Sequence, residues 1–185
     1  MSTKIGGGGH QENYDPSNGR YCSSTTVDWY DQKQMYAKIE EKSEAYLANS
    51  LIKWAKKKYK RLLRKGNKEA KKFNTASIAY DSANDRIYHG INGGISDLSN
   101  LCNEMQNIAN HVNFDVYAPA NCAEYHAIDK ALRCGSKLKD IILLTINTFP
   151  KRFGTYKMAC KSCTDSFKGK IKNNYSGWHV EDIKL

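Results

Sequence analysis

The chain has 185 residues, with 3 Trp, 12 Tyr and 5 Phe among its 40% hydrophobic residues, which is enough to bury the core of one domain. Its 29 Lys and Arg residues against 19 Asp and Glu give a formal net charge of +10, which favours nucleic acid or an acidic protein as the partner. The longest apolar run, IILLTI, is much shorter than the roughly 18 residues of a membrane span, so a membrane protein is excluded.

Residues 1–25 are rich in Gly, Ser, Asn and Asp and are predicted to form a flexible leader. They contain no apolar core, so they do not form a secretory signal peptide. Within them, YDPSNGRY combines Asp-Pro with Asn-Gly, and both dipeptides favour tight reversals of the chain. The leader is either a joint to a larger polypeptide or an added expression segment.

Residues 26–72 are predicted to form a basic helical segment packed on the core, because apolar residues recur at steps of three and four. Gly66 is expected to end the helix. The stretch 53–72 concentrates positive charge and is either a solvated helix face or a nucleic-acid contact surface. On the second interpretation Trp54 and Tyr59 stack on bases while cations contact phosphates. Those cations are Lys53, Lys56, Lys57, Lys60, Arg61 and Arg64.

Residues 73–185 are predicted to form one domain that begins with a hairpin. Two strand-like pieces, 75–80 and 86–91, flank a turn-rich DSAND. Helical spacing of apolar residues follows over 95–112. A further helix is predicted to begin after Asn121 as its N-cap and to end just before Gly135.

The second part of this domain returns to the sheet. DIILLTI (140–146) is a continuous apolar run, typical of a strand that is covered on both faces. Cys160 precedes another short predicted helix, and YSGWHVEDIKL (175–185) is predicted to add a strand at a sheet edge. The predicted order from residue 75 is strand, strand, helix, helix, strand, helix and strand, which indicates an α/β or mixed α/β domain.

Three cysteines have the spacing of a metal site. Cys160 and Cys163 form a C-x-x-C at a predicted helix start, which places two thiols about one turn apart. Cys122 precedes another predicted helix, and helix N-termini stabilise thiolates. If the two termini converge, three sulfurs hold one Zn²⁺ and leave the fourth position open to water, as in catalytic zinc sites.

Glu124 is the expected catalytic residue of such a site. It lies two residues after Cys122 in the same helical turn, so its carboxylate can reach water at the open position without binding the metal. A carboxylate placed there can accept a proton from water and return it to a leaving amine.

The other cysteines, Cys22, Cys102 and Cys134, are expected to be small buried apolar residues or simply exposed. Six cysteines in a chain of this length are too few and too scattered for a disulfide scaffold, so a reducing compartment or metal-held thiolates are expected.

The motifs CAE (122–124) and CKSC (160–163) together resemble the zinc-dependent cytidine and nucleic-acid deaminases, whose signature is His/Cys-x-Glu followed by Pro-Cys-x-x-Cys. The resemblance covers residues 75–185 and includes the helix–strand–helix order between the two motifs. Within this superfamily the chain is similar to the YwqJ-like deaminases of bacterial polymorphic toxins. Ala159 stands where most relatives have proline, so the second metal helix lacks that residue's fixed φ.

The resemblance implies a fold and a set of residues. The fold is a three-layer α/β/α sandwich with a mixed sheet of four to five strands, preceded by the helical segment. Asn92 would contact the sugar or base of the substrate, with a plain turn residue as the alternative. His89 would line the pocket from its strand, and Ala123 is the third substrate-binding position.

The implied activity is hydrolytic conversion of cytosine to uracil in nucleic acid, with attack at C4; adenine would be attacked at C6. A single strand is the easier substrate, since a base in a duplex must first be unstacked. The chain would then be a bacterial toxin domain, delivered into the cytoplasm of a target cell, with an immunity protein as a further partner.

Two other functions stay open. The chain could deaminate free cytidine or nucleotides, although a small substrate needs no broad positive surface. It could also be a zinc-stabilised nucleic-acid-binding module without turnover, with His126 or Cys134 as the fourth ligand. Three thiolates on Zn²⁺ leave a charge of −1, and Arg152, Lys157 and Lys161 are the candidate cations to offset it.

Overall fold

The computed structural model describes residues 13–15, 20–22, 41–93, 97–112 and 121–180. Near the N-terminus, β1 (Asn13–Asp15) and β2 (Arg20–Cys22) pair antiparallel. Residues 16–19, which contain most of the predicted reversal, lie outside the described ranges. The predicted helical residues 26–40 lie outside the described ranges.

The basic segment forms the long helix α1 (Glu44–Lys65), which begins where the Ser43 side chain accepts a hydrogen bond from the Tyr46 N–H. It ends at Gly66 as predicted; there φ is 130°, a conformation that glycine adopts without strain. Its buried stripe follows the helical period and consists of Leu47, Ala48, Leu51 and Ala55. A short second helix, α2 (Asn67–Lys72), was not predicted separately.

The predicted hairpin is confirmed as β3 (Thr75–Asp81) and β4 (Arg86–Ile91), which pair antiparallel from Ala76↔Ile91 to Asp81↔Arg86. β5 (Ile141–Asn147) pairs antiparallel with β3, and β6 (Asn173–Asn174) pairs parallel with β5. Among the described residues this gives a mixed four-stranded sheet in the order β4-β3-β5-β6. The α/β class is confirmed.

The edge strand was predicted in the wrong place. It is the two-residue β6, and residues 175–180 form no strand, whereas 181–185 lie outside the described ranges. The Asn174 side chain explains this, because its Oδ1 accepts from the Ser176 N–H at 3.1 Å and its Nδ2 donates to the Gly177 carbonyl at 2.8 Å. These bonds turn the chain away from the sheet directly after Asn174.

Side chains that alternate along the strands build two cores, one on each face of the sheet. Ile78, Ile142 and Leu144 pack with the buried stripe of α1 on one face. Ala79, Ile141 and Leu143 pack on the other face with the remaining helices. The central strand β5 is buried on both faces, as its continuous apolar run predicts.

The second face carries α3 (Asn103–Asn110), α4 (Ala123–Arg133) and α5 (Lys161–Phe167). The helix predicted over 95–112 is shorter at its start: a 3-10 turn covers Leu98–Asn100 and α3 begins after Cys102. The cause is Asp129 of α4, whose carboxylate accepts the Cys102 N–H at 2.7 Å and holds the preceding chain against α4.

The N-cap of α4 was predicted as Asn121 but is Cys122. The Asn121 carbonyl instead accepts the Gly93 N–H at 3.1 Å, which ties it to the end of β4. The predicted end of α4 is confirmed, with Gly135 at φ 84°. None of the described helices combines the length and the apolar composition needed to cross a membrane.

Candidate metal centre

Three cysteine sulfurs meet between the starts of α4 and α5. Cys122 is the N-cap of α4, Cys160 is the N-cap of α5, and Cys163 lies in the first turn of α5. Their sulfurs all lie within 4.8 Å of one another, and those of Cys122 and Cys160 are 3.8 Å apart. A tetrahedral ion with Zn–S bonds of about 2.3 Å requires sulfurs about 3.8 Å apart. This donor set therefore fits a thiophilic metal ion.

The three thiols share their protons unevenly, and Cys160 is the one favoured as a thiolate. Hydrogen bonding to Cys160 raises the pKa of Cys122, and hydrogen bonding to Cys122 and Cys160 raises the pKa of Cys163. Hydrogen bonds from Cys122 and Cys163 hold the pKa of Cys160 well below its usual value, and the N–H groups of Cys163 and Ser162 add to this effect. These N–H groups are among the unpaired donors at a helix start, which stabilise a negative sulfur. The local structure thus favours the metal-binding charged form at Cys160, and a bound ion would displace the protons of Cys122 and Cys163.

Close packing fixes α4 over the sheet. A Cβ on Gly90 of β4 would lie 2.0 Å from the carbonyl oxygen of Ala123 and 2.6 Å from the Ala127 nitrogen, so only glycine permits this approach. The contact lies at the first turn of α4, directly after Cys122. The position of Cys122 is therefore set by backbone contact with β4.

A buried hydrogen-bond chain joins α4 to α5. The Tyr125 hydroxyl donates to Ser166 Oγ at 2.5 Å, and Ser166 Oγ donates to the Ser162 carbonyl at 2.6 Å. The Tyr125 ring also packs against Phe167, with ring centroids 4.9 Å apart. Tyr125 thus links the two helices whose first residues carry the cysteines.

Glu124 lies beside the cluster in the first turn of α4 and is only 5% exposed. Burial raises the pKa of its carboxyl to about 7, and the charge of Cys160 acts in the same direction. The Glu124 N–H, Lys157 and a hydrogen bond from the Thr145 side chain oppose this rise. The carboxyl therefore titrates near neutrality, which suits a group that both accepts and donates protons.

A polar strip on the same face of the sheet adjoins Glu124 and was missed in the sequence. Ser77 Oγ and Thr145 Oγ1 lie 2.7 Å apart on neighbouring strands, and both side chains are buried. Lys157 Nζ donates to Thr75 Oγ1 at 2.5 Å, and the Lys157 N–H donates to the Thr145 carbonyl at 2.9 Å. The two-residue spacing of Thr75 and Ser77 in an otherwise apolar strand was the available signal.

Of the three candidate cations, the structure brings Lys157 to the site. Lys157 is half-buried and acts electrostatically on Glu124. Arg152 and Lys161 are exposed, and Lys161 pairs with Asp165 at 3.1 Å on the outer side of α5.

The three predicted substrate-binding residues are occupied in structural contacts. Asn92 Oδ1 accepts the N–H groups of Asn74 and Thr75, each at 3.0 Å, and its Nδ2 donates to the Lys72 carbonyl at 2.8 Å. Ala123 is fully buried against Gly90. These two positions border the site, but their contacts are internal.

His89 lies on the opposite face of the sheet. It pairs with Ile78, whose side chain belongs to the α1 core, and paired residues of antiparallel strands share a face. Its ring stacks on Trp54 of α1, with centroids 4.5 Å apart and planes at 10°. The structure therefore does not bring His89 to the cysteine cluster.

The six predicted nucleic-acid-binding cations on α1 are all exposed. However, α1 covers the face of the sheet opposite to α4 and α5, so the sheet separates it from the cysteines. Trp54 stacks on His89, and Tyr59 is half-buried against the same core. These two rings therefore support the fold instead of offering free faces for stacking.

Neither proposed fourth ligand joins the cysteine group. In the part of the chain that the structure describes, the group of metal-ligating atoms consists of Cys122, Cys160 and Cys163, without His126. Cys134 forms a disulfide, which differs from the expectation that the cysteines stay reduced. The described residues therefore supply three ligands.

The chain matches no protein-family model, no curated protein and no solved structure. Its family is thus not established by similarity.

Proposed function

We propose that this chain is a zinc-dependent deaminase that converts cytosine to uracil in single-stranded nucleic acid. The observation that carries the proposal is the meeting of three cysteines from two helix starts, with the buried Glu124 in the first turn of the first helix. Three thiols alone would also suit a structural metal site. A fourth position that no described side chain fills, with the buried Glu124 beside it, favours a catalytic site.

Zinc is the ion that we propose, because Zn–S bonds of about 2.3 Å are compatible with the 3.8 Å between the sulfurs of Cys122 and Cys160. When bound by Cys122, Cys160 and Cys163, it would act as a Lewis acid that lowers the pKa of water at its open position. Lys157 would offset part of the negative charge that three thiolates and Glu124 bring together. One zinc ion per chain is expected.

Glu124 would carry the protons of the reaction. It takes a proton from the attacking water and delivers it to N3 of the ring as C4 is attacked. It then takes the proton of the hydroxyl now on C4 and passes it to the amino group, which leaves as ammonia while the C4 carbonyl forms. Cytosine and water thereby become uracil and ammonia, and Glu124 returns to its starting state. The Thr145 hydroxyl, hydrogen-bonded to the carboxylate, would hold Glu124 in the orientation that this shuttle requires.

The order of elements supports the resemblance to the deaminase superfamily. A hairpin precedes α4, and β5 separates α4 from α5, so the two motifs occupy the starts of two helices on the same side of a mixed sheet. We infer a cytidine-deaminase-like α/β/α sandwich with α1 as the layer on the other face.

A polymer is the proposed substrate because the net charge of +10 favours a polyanion over a single nucleotide. A single strand is preferred, since its bases enter a pocket without unpairing. Adenine, attacked at C6, is the alternative base. From the resemblance to the deaminases of bacterial polymorphic toxins, we also propose that the chain is a toxin domain. It would act in the cytoplasm of a target cell and be neutralised by an immunity protein.

Two alternatives make different predictions. A deaminase of free cytidine would act on the nucleoside at least as fast as on an oligonucleotide. A zinc-stabilised binding module would hold zinc and nucleic acid without turnover. The presence of three described ligands, with His126 and Cys134 outside the group, favours an enzyme over that module.

The decisive experiment compares the wild type with Glu124→Gln, which keeps the shape of the side chain but not its acid–base function. We expect the wild type to contain one zinc ion and to form uracil in single-stranded DNA or RNA, and the variant to keep its zinc but to lose at least about 1,000-fold in rate. Cys160→Ser should lose the metal. A wild type without turnover, or an active Glu124→Gln protein, would refute the enzyme.

A further inference from the structure

Exposed cations and an exposed aromatic ring surround the end of the sheet where β3 begins and β5 ends. Lys71 lies near the end of α2, just before β3. Lys151 and Arg152 lie in the 3-10 turn Pro150–Arg152, just after β5. All three side chains are exposed.

Hydrogen bonds join these two segments. The Thr148 N–H donates to the Asn74 carbonyl at 3.0 Å, and Thr148 Oγ1 donates to the Phe73 carbonyl at 2.8 Å. Thr148 is only 1% exposed, so both bonds are shielded from water. The cations of α2 and of the turn are therefore held at one end of the sheet.

Phe149 follows Thr148 directly and is 48% exposed. Because about half of the Phe149 ring is exposed to solvent, its burial contributes little hydrophobic free energy to folding. Exposed rings among Lys and Arg side chains are typical of surfaces that bind single strands, where rings stack on bases and cations contact phosphates.

The same end of the sheet carries the candidate metal centre. Asn92 joins β4 to Asn74 and Thr75, and the Gly93 N–H reaches the carbonyl of Asn121, next to Cys122. Lys157 reaches Thr75 from the segment that leads to Cys160. Lys157 acts electrostatically on Glu124, so a strand bound at this end would approach Glu124 from the end of the sheet. The two basic segments also adjoin α1, since Phe73 and Phe153 pack with its core.

We propose that Phe149, Lys71, Lys151 and Arg152, together termed the sheet-end patch, bind the single-stranded nucleic acid on which the site acts. The ring stacks on a base next to the target, and the three cations contact phosphates. The basic face of α1 is then a secondary surface. The inference rests on the proposed function, because it assigns the substrate contacts of that site.

The test measures binding of a fluorescent 12-nucleotide single-stranded DNA, and of the same sequence as RNA, over a range of salt concentrations. The Glu124→Gln background prevents turnover. Three triple variants each remove three exposed cations: Lys71→Ser/Lys151→Ser/Arg152→Ser in the patch, Lys53→Ser/Lys57→Ser/Arg64→Ser on α1, and Lys137→Ser/Lys139→Ser/Lys170→Ser as the matched control. Zinc content and melting temperature confirm that each variant is folded.

We expect the patch triple to lower the slope of log affinity against log salt by about 2, since each lost phosphate contact on a single strand removes about 0.7. Phe149→Ser should weaken single-strand binding about tenfold at an unchanged slope and leave duplex binding unchanged. The α1 triple variant should lower single-strand affinity and its salt slope less than the patch triple variant does. The control triple variant should lower them least.

Equal losses in all three triples would overturn the inference, because binding would then follow net charge alone. So would a larger loss from the α1 triple, an equal loss of duplex binding in Phe149→Ser, or no binding of either oligonucleotide. Uracil formation by the wild type is measured separately, so a chain that binds through the patch but has no turnover would refute the proposed function and leave the patch standing.

Discussion

Two buried carboxylates on α4 show how the surroundings of a residue decide its role. Asp129 accepts the Arg133 Nε–H and the Cys102 N–H, each at 2.7 Å, and so fastens the chain before α3 to α4. Glu124 is equally buried but faces Cys160, Thr145 and the half-buried Lys157. Burial, reinforced by the charge of Cys160, raises the pKa of Glu124 to about 7, which suits the proton transfer that we propose for it.

Burial of His89 makes a separate prediction about acid stability. Burial lowers the pKa of His89 to about 4, and the charge of Lys130 acts in the same direction. The folded state thus disfavours protonation of His89. The contribution of His89 to the free energy of unfolding is therefore fully present above the unfolded pKa of about 6.5 and is lost as pH falls towards 4. His89→Phe keeps a ring against Trp54 but cannot titrate. We expect its free energy of unfolding to fall less than that of the wild type between pH 7 and 4, by on the order of 1–3 kcal/mol.

Denaturant unfolding at pH 7, 5.5 and 4 measures this difference. The exposed His179 is the control position, and His179→Phe should follow the wild type. Parallel pH curves for His89→Phe and the wild type would show that protonation of His89 does not oppose folding.

At the scale of elements, the contact between β4 and α4 positions Cys122 within the cysteine cluster. Gly90 allows the backbone of α4 to contact β4, and the hydrogen bond from Tyr125 to Ser166 then fixes α5 relative to α4. The two helix starts can therefore present their cysteines to one ion without a loop of their own to place them. Sites held by packed elements keep their geometry better than sites on loops.

Gly90→Ala tests this role. The added methyl would overlap the Ala123 carbonyl and the Ala127 nitrogen, which are helix backbone and cannot rotate aside. We expect a loss of more than about 3 kcal/mol in the free energy of unfolding, together with weaker zinc binding because Cys122 moves with α4.

Gly135→Ala is the matched control. At that position φ is 84°, but an added Cβ meets no atom within 4 Å, so only backbone strain of about 1–2 kcal/mol is expected, with zinc binding intact. Urea unfolding and zinc titration measure both quantities. Equal effects of the two substitutions would contradict a special contact at Gly90.

For the whole molecule, a bound ion would couple parts of the chain that are far apart in sequence. Cys122 belongs to α4, and Cys160 and Cys163 belong to α5, with β5 between them. Binding of zinc to the folded state alone should therefore stabilise the whole domain, by about 2.7 kcal/mol when free zinc exceeds its Kd about 100-fold.

Chelation should remove this stabilisation. We expect the melting temperature of the wild type to fall when zinc is removed, and that of Cys163→Ser to be low and insensitive to chelator. Cys102→Ser replaces a free cysteine outside the cluster and should respond to chelator as the wild type does. A melting temperature that is the same with and without zinc would contradict a metal centre in the domain.

Most helices and strands could be predicted from the sequence, because hydrophobic periodicity and the residues that end an element depend on neighbouring positions in the chain. The hairpin, the both-face burial of β5, the end of α1 at Gly66 and the C-x-x-C at the start of α5 follow from such local patterns. The three cysteines were also predicted together, since residue type and spacing limit what a metal can bind.

Other features depended on contacts between distant residues, which local patterns do not contain. The start of α3 was set by Asp129 on another helix, and the edge strand was cut short by the side chain of Asn174. His89 was predicted to line the pocket, yet it lies on the other side of the sheet from the cysteines, as does the basic face of α1 that was predicted as a nucleic-acid contact surface or a solvated face. Sequence by itself determined which residues this protein has for metal chemistry and which strands are buried. Only the tertiary structure decided which side of the sheet each residue occupies, because that depends on how helices and strands pack.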